Sequence, residues 1–508
     1  MGSLALLLMS CVFLLHPLVH AQEGVSQKMT IQAGYGTVTM GGVQWQRFSF
    51  RPDIPVGNLG IGLDLELFID NEGKISKEGW DFSNKNQIWD TLLRKIYYIR
   101  YGKPLDRFYV RAGALDNVSL GYGLIMDDYC NTLNYPADKK LGIDLSLSDI
   151  GTFGIDVHAM VNSVGDFKNK GVVAGGRVAF KPLKATSASL ISKLTVGATF
   201  VRDINQFAGL KDSDNDGYPD FQDGFPDNPD LWLDTDGDGI TDEEDPDADG
   251  DNLTDPWYTQ QHGLNTVDLD GVEHADLINI ENDIDGVSVA GVDLGFPLIE
   301  RIVHLDLYGQ YSTIHTGNEN IKGGWGIGAP GLRLLTERLK AQVEYRHFEG
   351  RFRPNYFDHL YEHERVMLVG NNVITKEMTL LDESLNGIYG MLGYNFFDLV
   401  NAGATYQHMT GNKTFNDLTG KVAILDRVLQ QVPKISLAEA YYYNTYVDPD
   451  RYNLLDLTEN TLYGTRIGFE LTPGMIIVWD TRYTFSPNAK GGLDKHRFVS
   501  IETVMTVR

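Results

Sequence analysis

Alternation with a period of two runs through nearly the whole chain and constrains its fold more than any other feature. Between Leu59 and Asp70, Leu59, Ile61, Leu63, Leu65, Leu67 and Ile69 fall on one face, while Gly60, Gly62, Asp64, Glu66 and Asp70 fall on the other. The same reading holds for Phe108, Val110 and Ala112 against Arg107, Tyr109 and Arg111, and for Val303, Leu305 and Leu307 against His304, Asp306, Tyr308 and Gln310. It holds again for Ala341, Val343 and Tyr345 against Gln342, Glu344 and Arg346. Near the C-terminus, Tyr463 to Leu471 and Val499 to Val507 repeat it. Successive side chains of a strand point to opposite faces, so each segment is a strand with one apolar and one wet face. Roughly 14 to 18 such segments can be counted, each about ten residues long and bounded by Gly, Pro, Asn and Asp.

Soluble antiparallel sheets, buried on one side, would give the same alternation. Two features favour a transmembrane antiparallel β-barrel, an all-β fold. Charged residues recur in mid-strand on the polar face, as a water-filled lumen allows, and 25 Tyr, 23 Phe and 7 Trp suit aromatic girdles. A single continuous strand pattern of this length also escapes exposed edges only by closing on itself. Beyond residue 21 there is no apolar run of 18 or more residues, which excludes helical spanning. The apolar run Leu4 to Leu18, followed by Val19-His20-Ala21, reads as an export signal over residues 1–21, although no Lys or Arg precedes it. That leaves Cys130 as the one later cysteine, so no internal disulfide can stabilise the exported chain.

Charge is concentrated in one place. Of the formal net charge of −26, residues 212–255 supply sixteen Asp and two Glu with no Lys or Arg, which rules out a nucleic-acid surface there and points to metal cations. Asp212, Asp214, Asp216, Asp220 and Asp223 stand at positions 1, 3, 5, 9 and 12 of a twelve-residue loop, with Gly217 at position 6 and the Tyr218 carbonyl at position 7. Asp234, Asp236, Asp238, Asp242 and Asp245 repeat the spacing with Gly239 and the Ile240 carbonyl. A third copy places Asp247, Asp249, Asp251 and Asp255 at positions 1, 3, 5 and 9 and Leu253 at position 7; it has Asn252 in place of the glycine and Tyr258 at position 12. Alternate carboxylates of a curled loop converge on one point, and Ca²⁺ takes six to eight oxygens, so these seventeen residues are the expected calcium ligands. Removal of the metal should leave so many like charges disordered.

These loops resemble thrombospondin type 3 repeats, in which short Asp-rich loops wind around calcium with little other structure. Helix–loop–helix units share the loop, but Pro219, Pro226, Pro229, Pro246 and Pro256 occupy the flanks where such helices would run. The alternating segments resemble bacterial outer-membrane porin-like barrels, except that the chain ends Val507-Arg508 rather than on an aromatic residue. The two resemblances imply a first barrel part over 22–207, a calcium-binding insert over 208–286 and a second barrel part over 287–508. They also imply an outer-membrane location, lipid and calcium ions as partners, and an insert that faces the outside of the cell. Two helices are expected to interrupt the strands: one from Asp417 to Gln431, with Val422, Leu425, Val428 and Leu429 at helical spacing, and a weaker one through Ile88, Leu92 and Ile96.

Three functions compete. The first is a channel for ions or small solutes. The second is a non-conducting surface anchor that presents the calcium insert to a surface protein or a polysaccharide. An enzyme is disfavoured, because His262, His304, His315, His347, His359, His363 and His408 stand beside no partner at a telling spacing.

Overall fold

The computed structural model describes residues 30–507 apart from 41–42, 71–72, 77–90, 92–94, 105, 133–138, 168–169, 187–190, 249, 251–276, 301–302, 319, 370–371, 430, 432–433, 448–455, 459–460, 473–474 and 488–491. Strands paired antiparallel to their neighbours run in chain order around one sheet of 21 segments. The last strand, Leu493–Val507, pairs with the first, Thr30–Met40, and closes the sheet into a barrel. Leu59–Leu63 and Leu65–Ile69 are successive parts of one stave, both paired with Val43–Val56, which leaves twenty staves. The count exceeds the 14 to 18 expected from alternation. Strands as short as Ile96–Tyr101 and Ile155–Val161 carry too few residues to establish a period by themselves.

The alternation sorts side chains as expected. Val178, Phe200, Val292, Leu294, Val343, Ile388, Leu392 and Trp479 lie exposed on the outer face. Their strand neighbours Arg177, Asp293, Glu344, Arg346, Asp480 and Arg482 are turned into the lumen, where they form ion pairs. Apolar surface outside and charge inside is the reverse of a soluble domain, and it suits a wall bathed in hydrocarbon. Charges withdrawn from water must be paired. Arg177 meets Asp293 at 2.6 Å, Arg51 meets Asp64 at 2.9 Å, and Lys139 bridges Asp64 and Glu66 at 2.6 and 2.5 Å.

The four longest connections all open at one end of the barrel. Residues 70–95, 114–141, 204–286 and 351–384 join strands at the end opposite the free ends of the first and last strands, whereas connections at the other end run from turns such as 57–58 and 336–338 up to the stretch 181–194. Two of these connections, 114–132 and 351–384, fold back into the lumen. Leu115, Leu124, Met126, Tyr129, Tyr356, Phe357 and Tyr361 pack there against the inward-facing wall residues Met160, Val201, Val289, Ile314 and Phe348. The core of the molecule is therefore inside the barrel, towards its long-loop end. The two segments also pair with each other: Met126 and Phe357 form a parallel bridge, and Asn355 N donates to Leu124 O at 2.8 Å.

The expected helices resolve differently. Residues Thr414–Ile424 form a stave paired on both sides, and only Asp426–Leu429 is helical. Val422 belongs to the strand while Val428 and Leu429 belong to the helix, so their helical spacing spans two elements. Ile96 opens the strand Ile96–Tyr101, and Ile88 and Leu92 lie outside the described residues.

Candidate functional site

The Asp-rich insert leaves the barrel after the strand Thr195–Asp203 and returns at Val287–Glu300. Its first two loops have the same internal bonding. Asp212 accepts N–H bonds from Asn215 and Gly217 at 2.8 and 3.1 Å, and Asp234 accepts them from Gly237 and Gly239 at 2.8 and 3.0 Å. Asp214 and Asp216 accept from Asp216 N and Tyr218 N, as Asp236 and Asp238 do from Asp238 N and Ile240 N. Each carboxylate is thereby fixed by one or both oxygens to the backbone of the curl. Gly217 and Gly239 sit at φ +98° and +92°, which side chains with a Cβ rarely adopt, and so allow the curl to close.

This folding brings Asp212, Asp214 and Asp216 together, each with a carboxylate oxygen within 4.8 Å of the others, and does the same for Asp234, Asp236 and Asp238. The Oδ2 atoms of Asp214 and Asp216 are buried and have no protein partner. Burial, reinforced by neighbouring carboxylates, holds Asp212 and Asp216 above the usual range. Asp223, at position 12, is pushed up to about 6 by burial, with Asp216 and Asp214 adding repulsion. A cluster of this kind is stabilised by a hard cation.

The position-9 carboxylates have another task. Asp220 accepts from Ser213 N at 2.7 Å, from its hydroxyl at 2.9 Å and from Lys211, while Asp242 accepts from Thr235 N at 2.8 Å and its hydroxyl at 2.7 Å. They tie position 9 to position 2 across each loop. Asp245 accepts from Asp247 N at 2.9 Å, which leads into the third loop. Asp249, Asp251, Leu253 and Asp255 lie outside the described residues. The first loop is anchored to the rim: Ile280 N donates to Gly217 O at 2.8 Å, and Asn205 Nδ2 to Ile280 O at 2.8 Å. The Tyr218 ring stacks on Trp232, with centroids 5.0 Å apart, and joins the first loop to the approach of the second.

Sequence reasoning missed a second group of residues, in the lumen. Arg365, 1% exposed, donates to Asp203 Oδ1 and Asn205 O, both at 2.7 Å, and to Gly171 O at 3.3 Å, and lies 3.6 Å from Glu362. Glu362 is also paired with Lys140 at 2.6 Å and accepts from Asn162 at 3.0 Å and from Tyr129. Tyr361 donates to Asp203 at 2.7 Å, and Lys376 pairs with Glu364 at 2.9 Å. Burial would raise Glu362, but Lys140 and Arg365 outweigh it and hold the carboxyl at about 2. This network pins the segment 351–384 to the wall beside the insert.

Between the in-folded segments and the strands Leu339–Gly350, Leu385–Phe396, Val400–Thr410 and Thr414–Ile424 lies a cavity of about 120 Å³. Asp127, Asp128, Arg346, Arg353, Asp358 and Asp417 are among the residues that line it. Burial keeps Asp127 above its ordinary value, and burial with the Asp127 carboxylate beside it keeps Asp128 well above. Guanidinium donors and carboxyl groups thus face one small space.

No family model matches the chain, and no curated protein matches it. Among solved structures it is similar to the FrpB iron transporter from Neisseria meningitidis in its apoprotein form, with 10% identity over 94% of this chain and 73% of that one and a TM-score of 0.37. It is also similar to Wzi, an outer-membrane protein involved in group 1 capsule assembly in Escherichia coli, with 10% identity, 94% and 84% coverage and a TM-score of 0.32. OccK11 of Pseudomonas aeruginosa shares 11% identity, with 94% of each chain covered and a TM-score of 0.31.

Proposed function

We propose that the protein is a porin-like channel of the bacterial outer membrane that passes ions or small polar solutes through a constricted lumen, with a calcium-binding insert outside the cell. The observation that carries this reading is the cavity lined by Asp127, Asp128, Arg346, Arg353 and Asp417 in the interior of a closed barrel. Such a lining offers both charge signs and hydrogen bonds to a solute stripped of part of its water. The four longest connections, the insert among them, share one end, and the long loops of such barrels are the extracellular ones, which supports an insert outside the cell. External calcium near millimolar would fill even modest sites. The Asp212–Asp214–Asp216 and Asp234–Asp236–Asp238 clusters support calcium as the ligand, and the repeated spacing supports the likeness to thrombospondin type 3 repeats.

A second reading, a non-conducting anchor that displays the insert to a surface protein or polysaccharide, is favoured by the complete burial of Tyr129, Tyr356, Phe357 and Tyr361 within the lumen. Neither reading involves catalysis; burial drives the Cys130 thiol far above its ordinary value, which keeps it protonated and a poor nucleophile. Planar-bilayer recording of the detergent-extracted protein separates the two. Stepwise conductance that changes when calcium is chelated supports the channel; silence from protein that retains heat-modifiable β-structure refutes it and leaves the anchor.

A further inference from the structure

Asp285 lies two residues before the insert re-enters the wall at Val287, and Glu377 lies in the short 3-10 turn Lys376–Thr379 of the segment folded into the lumen. Although 92 positions apart, they meet in the structure, and both are cut off from solvent: Asp285 is 5% exposed, Glu377 and Thr375 0%. Both carboxylate oxygens of Asp285 and the Thr375 hydroxyl are buried, with no well-formed hydrogen bond outside this group; Gly317 lies between the two acids, its N–H on Glu377 at 3.3 Å and a Cβ built on it 2.9 Å from Asp285 Oδ1. Glu377 receives only weak backbone donors, Asn318 N at 3.2 Å and Gly317 N at 3.3 Å. The nearby cations are committed elsewhere, Lys376 to Asp358 and Glu364 and Arg365 to Asp203 and Glu362. Among the described residues neither carboxylate has an ion-pair partner.

Two buried carboxylates side by side, with a buried hydroxyl beside them, cost several kcal/mol while both are ionised, unless a cation or a proton joins them. We propose that Asp285, Glu377 and Thr375 form a calcium site, separate from the Asp-rich loops, that clips the exit of the insert to the segment folded into the lumen. The donor set is all oxygen, which suits a hard cation. Ca²⁺ fits better than Mg²⁺, because it accepts bidentate carboxylates in irregular geometry, whereas Mg²⁺ demands a near-ideal octahedron; the two carboxylates and the hydroxyl offer up to five oxygens, and water would complete the shell. The consequence is mechanical: external calcium holds the lumenal segment in place through the base of the insert. Burial, then repulsion from Asp285, pushes Glu377 up to about 7, so a shared proton is the competing occupant.

The test is calcium stoichiometry by equilibrium dialysis on the full chain in detergent micelles above pH 7. In a variant with Asp212, Asp214, Asp234, Asp236, Asp247 and Asp249 replaced by Asn, one calcium should remain, and adding Glu377→Gln should abolish it. In the otherwise unaltered chain, Glu377→Gln should remove one equivalent, which keeps the test decisive if the loop variant does not fold. A loop variant that binds no calcium, or a Glu377→Gln chain that binds as much as its parent, overturns the proposal; the second outcome is the one a shared proton gives. Failure of the Asp-rich loops as sites shows separately, as equal stoichiometry in the unaltered and loop-substituted chains.

Discussion

Replacing Arg365 with Met should release the lumenal segment without unfolding the barrel. Arg365 is buried and serves Asp203, Glu362 and two backbone carbonyls. Methionine fills much of the same volume but leaves Asp203 with Tyr361 and the Asn205 N–H, and Glu362 with Lys140 among its charged partners. Breaking a buried pair from one side costs about 3–5 kcal/mol, because a charge is left uncompensated. At about 1.4 kcal/mol per decade, local opening of residues 351–384 should rise by roughly 10²–10⁴-fold. The wall's own ladder does not include Arg365, so the heat-modifiable band should persist. Hydrogen exchange should then show lost protection confined to 351–384 and the facing segment 114–132, and single-channel conductance should increase. Combining Asp203→Asn with Arg365→Met should recover part of the loss, since the orphaned charge is gone. Unchanged exchange in 351–384, or loss of the barrel itself, would refute the view that this network is a local clamp.

Three further outcomes are expected. Replacing Asp214 and Asp236 by Ala should lower calcium affinity of the insert by at least about tenfold while the barrel band is unchanged, measured by calorimetric titration, because each substitution removes a ligand from a converging triad. Gly239→Ala places a Cβ at φ +92° and should destabilise the second loop by about 1–2 kcal/mol, read as a higher calcium requirement for protease resistance of the insert. Glu362 is held at about 2 against a reference value of 4.5, so its contribution is complete above about 4.5 and is lost as pH falls towards 2. It amounts to about 3 kcal/mol. Protection of 351–384 should therefore decline between those values, and Glu362→Gln should flatten the decline.

Much of the wall was legible in the sequence because burial on one face imposes a period of two, and Leu59 to Asp70 shows it without interruption except at Asp64, where the two strand segments meet. The loops were legible for a related reason: carboxylates that converge within twelve residues leave a local spacing. The clamp left none. Asp203 and Arg365 are 162 positions apart, and each alone reads as an ordinary charge at the end of a strand or in a loop. In the sequence Asp127, Asp128 and Glu362 are indistinguishable from ordinary loop charges, since nothing in a sequence distinguishes a connection that folds inward from one that spreads into solvent. The apolar spacing from Val422 to Leu429 misled because a strand and a short helix abut there, and spacing cannot reveal the break between them.

The insert also says something about how this barrel tolerates added sequence. Asp203 and Val287 are paired partners on adjacent staves, as are the residues beneath them down to Thr195 and Gly295. Material spliced between two residues already held opposite one another changes no hydrogen-bond register in the wall, and lengthening such a closed loop costs entropy only as the logarithm of its size. The join is therefore a natural grafting point, where an ion-binding cassette of this length can be exchanged for another while the barrel beneath continues to assemble from the same strand pairs.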